Sequence, residues 1–455
     1  SQSPTIGTRD FSHPLRTVDD FDEKIDDFSL ASIALSLKAI SMKSTLLDIY
    51  GASDRLLFSE NDYRTPSNSK VISALQGLMC DKDFCTLYSL FMLALARKEL
   101  SACSFRLFIG EKPNITLVMD EDLSTETTEE ELKEAFVDGR GVKYSKDGRK
   151  LLKAPGELSG VYSVNEGTRI ICDSAFGNCD SLSEIVIPSS VTSIGDSAFY
   201  GCYSLSEIVI PSSVTSIGDG AFSSCDSLSE IVIPASVTNV GYGAFSFCSS
   251  LSEIVIPSSV TSIGKGVFSG CSSLSEIVIP SSVTSIGDSA FSGCDSLSEI
   301  VIPSSVTSIG DHAFFGCRSL FEIVIPSSVT SIGDSAFSGC DSLSEIVIPS
   351  SVTSIGDHAF FGCRSLFEIV IPSSVTSIGD SAFSGCDSLS EIVIPSSVTS
   401  IGDHAFFGCR SLFEIVIPSS VTSIGKGAFS YNSKLPDNLK QELVSRFGYK
   451  IFSSW

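Results

Sequence analysis

From roughly residue 158 to residue 431 the apolar positions follow one order, L-x-x-I-x-I-P-x-x-V-x-x-I-G-x-x-A-F-x-x-C, that returns every 23 residues. Phenylalanine holds the phase through twelve units, at Phe176, Phe199, Phe222, Phe245, Phe268, Phe291, Phe314, Phe337, Phe360, Phe383, Phe406 and Phe429, with no insertion or deletion. Cysteine keeps it from Cys179 to Cys409 and proline from Pro188 to Pro418. Constant phase over so many units predicts a solenoid, because each unit occupies the same slot and buries its apolar face only against its neighbours.

Inside the unit the pattern changes period. In SLSEIVIP (181–188), Leu182, Ile185 and Ile187 form an inward set while Glu184 and Val186 face out, as a short strand requires. Pro188 ends that strand, having no N–H for a ladder. Val191 and Ile194 point inward from a second extended piece, and Gly195 allows a tight turn. Residues 196–199 (DSAF) predict a brief helical turn that drives Phe199 into the core, and Cys202 closes the coil. Coils stacked at about 4.8 Å make a rod on the order of 55 Å long.

The ends of such a stack need caps. Residues 158–180 supply a degenerate first coil, with Cys172 where later units carry glycine. LPDNLKQELVSRFG (435–448) predicts a helix with Pro436 near its start and Gly448 past its end. Leu439, Leu443 and Phe447 share one stripe of that helix, suited to covering the last coil.

The unit as a whole is similar to the 23-residue leucine-rich repeat of BspA-like (Treponema-type) proteins, over roughly residues 158–431. The stretch GVKYSKDGRKLLKAP (141–155), with its Asp147-Gly148 turn, resembles the hairpin lead-in of bacterial members. The resemblance implies a leucine-rich-repeat solenoid in a surface or secreted protein of a host-associated microbe or protist. It implies an adhesin that binds extracellular host proteins, and it brings no catalytic residue and no cofactor.

The first 140 residues are different in kind and resemble no family. Apolar periodicity predicts helices over 29–49 and 68–99, broken around Cys80–Cys85. SFRLFIG (104–110) and NITLVMD (114–120) read as a strand pair, and TTEEELKEAF (127–136) as a short helix with acidic residues in its first turn. The expected plan is a small α/β or α+β module over 1–140, a β-hairpin connector over 141–157, the solenoid over 158–431 and a helical cap over 432–455.

Charge narrows the partners. The formal net charge is -24, which disfavours nucleic acid and anionic membrane surfaces. Residues 181–425 hold 11 Glu and 12 Asp against one Lys and three Arg, so most of the acidity belongs to the repeats. The best apolar run, Leu90–Ala96, is too short for a membrane span and meets Arg97 and Lys98 at once. The chain begins at Ser1 with no signal-peptide pattern, so a removed leader and a trimmed start both stay open.

Stacking turns each repeat position into a row. The eleven repeat cysteines form one, either as small buried apolar groups or close enough to pair as disulfides. Glu184 through Glu414, including Glu299, Glu322, Glu345, Glu368 and Glu391, form an outward carboxylate row. It is either a solvated face that blocks aggregation or a strip for a basic partner or loosely held cations. The residue after each cysteine runs Asp295, Arg318, Asp341, Arg364, Asp387, Arg410, so adjacent coils present opposite charges. The same 46-residue double unit places His312, Phe315 and Phe321 on one coil, then His358, Phe361 and Phe367, then His404, Phe407 and Phe413. These extra phenylalanines are candidates for a contact surface, weighed against rim packing between coils. Alternate-coil histidines lie about 10 Å apart, too far to share a metal or a proton. The Thr192- and Ser193-type hydroxyl rows admit a templating surface as a remote idea.

Chemistry is sparse elsewhere. G-x-S-x-G, H-E-x-x-H, Walker and G-x-G-x-x-G motifs are absent, and His13 is the first module's only histidine. Asn114 opens a glycosylation sequon, meaningful in a eukaryotic secretory pathway. The expected protein is therefore a non-enzymatic, extracellular or cell-surface protein-binding scaffold. Its rivals are a structural subunit or spacer in a larger assembly, and an effector whose first module acts while the repeats choose the target.

Overall fold

The computed structural model describes residues 35–36, 38–43, 45–50, 57–58, 69–76 and 124–453. The chain divides into two compact units, Ser1–Glu121 and Asp122–Trp455. In the first, residues 38–42 are helical and are followed by helices Thr45–Tyr50 and Lys70–Gln76. Ser69 Oγ accepts the Ile72 N–H at 3.1 Å, the hydrogen bond that starts the latter helix. Leu35, Ala39, Leu46, Val71, Ile72 and Leu75 are buried. His13, Cys80, Cys85, Cys103, Asn114 and the expected strand pair at 104–120 lie outside the described residues.

The second unit opens on helix Glu129–Glu134. A capping box starts it: Thr128 Oγ1 accepts the Glu131 N–H at 3.1 Å, and Glu131 Oε2 accepts the Thr128 N–H at 2.8 Å. Strand Lys143–Tyr144 pairs antiparallel with Lys150–Lys153 across the Asp147-Gly148 turn, where Gly148 has φ 74°. Lys150–Lys153 then pairs parallel with Ile170–Ile171, which hands the hairpin to the stack. Lys150 is 6% exposed, and its ammonium donates to Glu131 Oε1 and the Glu126 carbonyl, each at 2.7 Å. Burial works to raise the Glu131 pKa, but the bonds from Lys150 and Thr128 outweigh it and hold the carboxyl below its ordinary value.

Coils of the stack bond to one another along three edges, the two strand ladders interrupted at some junctions. On the first, strands Glu230–Val232 to Glu368–Val370 form a seven-stranded parallel sheet, with Glu opposite Glu, Ile opposite Ile and Val opposite Val. On the second, short Ser-Ile strands pair, as Ser308–Ile309 does with Ser331–Ile332. On the third, the core phenylalanine N–H donates to the alanine carbonyl one coil on, as Phe314 does to Ala336 at 2.8 Å. The expected helical turn resolves into single turns. Ser197 sits at φ 53° and Gly201 at φ 69°, and these left-handed residues stop the turn from propagating.

The twelve phenylalanines stack face to face from Phe176–Phe199 (5.1 Å between ring centroids, 5° between planes) to Phe406–Phe429 (5.5 Å, 5°). Tyr162 tilts onto the first ring and Phe452 onto the last, so both ends finish in an aromatic lid. The Tyr162 hydroxyl lies 2.6 Å from that of Tyr144 and donates to Asp138 Oδ2 at 2.7 Å, fixing the entry side. At the exit, helix Asp437–Phe447 buries Leu443, and Arg446 donates to the Ile417 and Pro418 carbonyls at 2.9 Å. Among the described residues no helix is long and apolar enough to cross a membrane.

The cysteine row settles as buried thiols. Cys172 and the eleven repeat cysteines are free, and each repeat Sγ from Cys202 onward donates to a phenylalanine carbonyl of the preceding coil, as Cys202 does to Phe176 at 3.1 Å. Burial pushes the Cys202 and Cys248 thiols up to about 12, so the nucleophilic thiolate is scarce at neutral pH.

Candidate functional site

The corner after the second strand explains why Gly and Asp travel together in I-G-D. Asp334 donates its N–H to Asp311 Oδ1 at 2.8 Å, and Asp357 does the same to Asp334. A Cβ at Gly333 would stand 2.5 Å from Asp311 Oδ1 and 2.6 Å from its backbone N, so the close approach excludes any side chain. These carboxylates are therefore spent on the neighbouring coil. Among the described residues no group of three or more His, Cys, Asp or Glu could hold a metal ion.

The sheet edge carries two exposed rows. Glu299, Glu322, Glu345, Glu368 and Glu391 all face solvent beside Val301, Val324, Val347, Val370 and Val393. The valines are exposed well beyond an ordinary strand residue, Val301 at 79% and Val347 at 70%. In-register pairing makes both rows continuous from Glu299 to Glu368 and from Val301 to Val370, as Glu299 lies opposite Glu322 and Val301 opposite Val324. Sequence reasoning noted the glutamates and treated the valines only as the outward half of an alternation. The signal for them was E-I-V itself, an apolar residue at the outward strand position of every repeat. Phe321, Phe367 and Phe413, at 46%, 42% and 48% exposed, stand directly before Glu322, Glu368 and Glu414 at the head of their strands.

The remaining candidates lie on the third edge, separated from the sheet by the buried Leu320, Leu366 and Leu412. Phe315 and Phe361 are exposed there, each against the histidine of its own coil, with His312–Phe315 centroids 5.7 Å apart. Phe407 is half-buried because Tyr431 packs edge-on against it at 5.0 Å. Arg318, Arg364 and Arg410 reach back one coil to Asp295 (3.2 Å), Asp341 (3.9 Å) and Asp387 (3.6 Å). The candidates thus form two strips rather than one: Glu, Val and Phe321-type residues on the sheet, and Phe315-type residues with the Arg/Asp row on the turn. Neither strip brings a nucleophile, base and electrostatic donor to one point, the arrangement covalent catalysis needs.

A sequence profile described as "BspA type Leucine rich repeat region" matches residues 162–275, 261–387 and 353–455. A leucine-rich repeat protein from Bacteroides ovatus is 30% identical, the match covering 70% of this chain and 95% of that one at TM-score 0.53. A leucine rich cell surface protein from Faecalibacterium prausnitzii is 34% identical over 69% of this chain and 95% of that one, at TM-score 0.51. The T. pallidum Leucine Rich Repeat protein is 39% identical over 39% of this chain and 86% of its own, at TM-score 0.37. No curated protein matches the chain.

Proposed function

The chain belongs to the BspA-type leucine-rich repeat family, and on that premise we propose a non-enzymatic, cell-surface or secreted adhesin-like scaffold that binds an extracellular protein through its sheet face. The observation that carries this reading is the continuous exposed double row of glutamate and valine. A solvated face needs no valine at every coil; a binding face uses apolar area for affinity and charge for selection. Neighbouring carboxylates about 5 Å apart repel by roughly 0.8 kcal/mol in bulk water, and a cationic partner relieves that repulsion along the whole row. The partner therefore presents basic and apolar residues together. Phe321, Phe367 and Phe413 supply larger anchors in the last coils. The F. prausnitzii relative is a leucine rich cell surface protein, which supports the location.

The test is binding of the full chain to basic extracellular-matrix proteins by interferometry. Wild type is expected to bind with an affinity that falls as salt rises. The triple Phe321/Phe367/Phe413→Ser is expected to weaken it about tenfold or more. Binding that ignores both salt and the sheet-face substitutions sinks the proposal. A structural spacer is the second reading, favoured by residues 288–425 being three identical 46-residue copies; it requires one stable co-purifying partner.

A further inference from the structure

On the turn edge of the six coils over residues 288–425 the exposed features alternate with a two-coil period. The residue after each core phenylalanine runs Ser292, Phe315, Ser338, Phe361, Ser384, Phe407, and the residue after each cysteine runs Asp295, Arg318, Asp341, Arg364, Asp387, Arg410. Phenylalanine and arginine share one coil, serine and aspartate the next. Phe315 and Phe361 are each 43% exposed, whereas Ser338 and Ser384, on the coils between rings, are 3% and 4% exposed. Ser292, with a ring on one side only, is half-buried. Rings therefore stand as knobs and close over the serines that lie between two of them.

The charges follow the same rhythm. Each arginine is ion-paired to the aspartate of the preceding coil, yet Arg318, Arg364 and Arg410 keep 67%, 70% and 75% of their side chains exposed. Their donors remain available for a second carboxylate. Paired in this way, the Arg/Asp row is neutral on a chain of net charge -24. It is a place where another acidic molecule can approach without repulsion from the row itself.

We propose that this strip pairs with the same strip of a second copy of the chain, running antiparallel. A two-fold axis across the rod reverses the order of coils. In every second register each Phe/Arg coil then faces a Ser/Asp coil. The ring of one copy then lies over the serine coil of the other, against the exposed faces of its two flanking rings, and arginine meets aspartate across the interface. The intervening registers place ring on ring and arginine on arginine, so the alternation selects one parity. The identity of the three 46-residue copies makes a match at one coil a match at all of them.

The size of the strip sets the strength. Six coils span about 29 Å. A contact about 15 Å wide over that length buries roughly 900 Å² in total, below the ~1,200–2,000 Å² of stable complexes. Pairing is therefore weak, in the micromolar range or weaker, and is measured at high concentration.

The experiment is sedimentation equilibrium of the full chain up to several hundred micromolar, with circular dichroism to confirm that each variant folds. Wild type is expected to dimerise. Arg318/Arg364/Arg410→Asp and Asp295/Asp341/Asp387→Arg are each expected to be monomeric, since like charges face each other in every register. An equimolar mixture of the two is expected to pair at least as tightly as wild type. Phe315/Phe361/Phe407→Ser is expected to weaken pairing about tenfold. Wild type that stays monomeric throughout, or a charge-reversed mixture that fails to pair, overturns the proposal. Binding to matrix proteins is read separately, so failure here and failure of the sheet-face reading are told apart.

Discussion

Two coil junctions follow the same 23-residue plan and hold together differently. At Ile309–Ile332 the second edge is complete. Ser308 and Ile309 pair with Ser331 and Ile332, the Gly333 N–H donates to the Ile309 carbonyl at 3.1 Å, and the Asp334 N–H donates to Asp311 Oδ1 at 2.8 Å. At Val240–Ile263, Tyr242 and Lys265 replace the aspartates, Val240 the isoleucine and Val267 the alanine. Among the described residues no backbone pair joins Val240 to Ile263. The Phe245 and Phe268 rings stand 5.9 Å apart against 5.4 Å for Phe314 and Phe337. A small apolar void lined by Val240, Val260, Ile263, Val267 and Phe268 fills the difference. The other two edges continue, with Glu230 opposite Glu253 and the Phe245 N–H on the Val267 carbonyl at 3.0 Å. One edge opens while two hold, so the three ladders are separable.

The largest expected effect tests the ring stack. Phe337→Ala is expected to cost about 3–5 kcal/mol in chemical denaturation. Phe268→Ala is expected to cost measurably less, because its surroundings are already loose. The next contrast uses glycine. Gly333→Ala forces a Cβ against backbone and is expected to cost about 1–3 kcal/mol. At Gly264 the nearest atom is the Tyr242 ring carbon at 3.3 Å, which can swing aside, and Gly264→Ala is expected to cost well under that. Equal costs at the two sites would contradict the account of the corner.

Repair is the third test. Tyr242→Asp with Lys265→Asp restores the carboxylate acceptors and is expected to add about 1 kcal/mol per restored bond. Slower hydrogen exchange at residues 265 and 288 is the local readout. The smallest effect serves as a reference away from both junctions. Hydrogen bonds from the Ser145 hydroxyl and the Arg149 guanidinium hold Asp147 at about 2. Its folded pKa is depressed, so its contribution is full above about pH 4 and is lost as pH falls toward 2. Asp147 and Arg149 are about half exposed, so solvent screening keeps the effect below about 1 kcal/mol. Asp147→Asn is expected to lower stability slightly at pH 6 and not at pH 2.

Much of this was legible before any coordinates. The phase of Phe176 to Phe429 foretold a single stacked row, and the alternation in SLSEIVIP foretold which residues are buried. The Asp147-Gly148 turn and the stripe Leu439, Leu443, Phe447 are local patterns, and local patterns read well. The brief turn at DSAF was legible too, but nothing in the four letters shows that Ser197 takes a left-handed conformation. The extra phenylalanines were named as one contact surface because they share coils. The burial of Leu320 divides them into two, and burial is a property of the packed stack.

Sequence alone determined the period, the number of coils and the inward or outward sense of each strand residue, because repetition and a two-residue alternation need no knowledge of distant contacts. Tertiary structure decided every partner that lies one coil away. The Asp311 carboxylate holds the Asp334 N–H, Cys317 Sγ donates to the Phe291 carbonyl, and Arg318 turns back to Asp295. The physical reason is that each group is 23 or 26 residues from its partner along the chain and about 3 Å from it in space. Only the stacking of whole coils brings the two together.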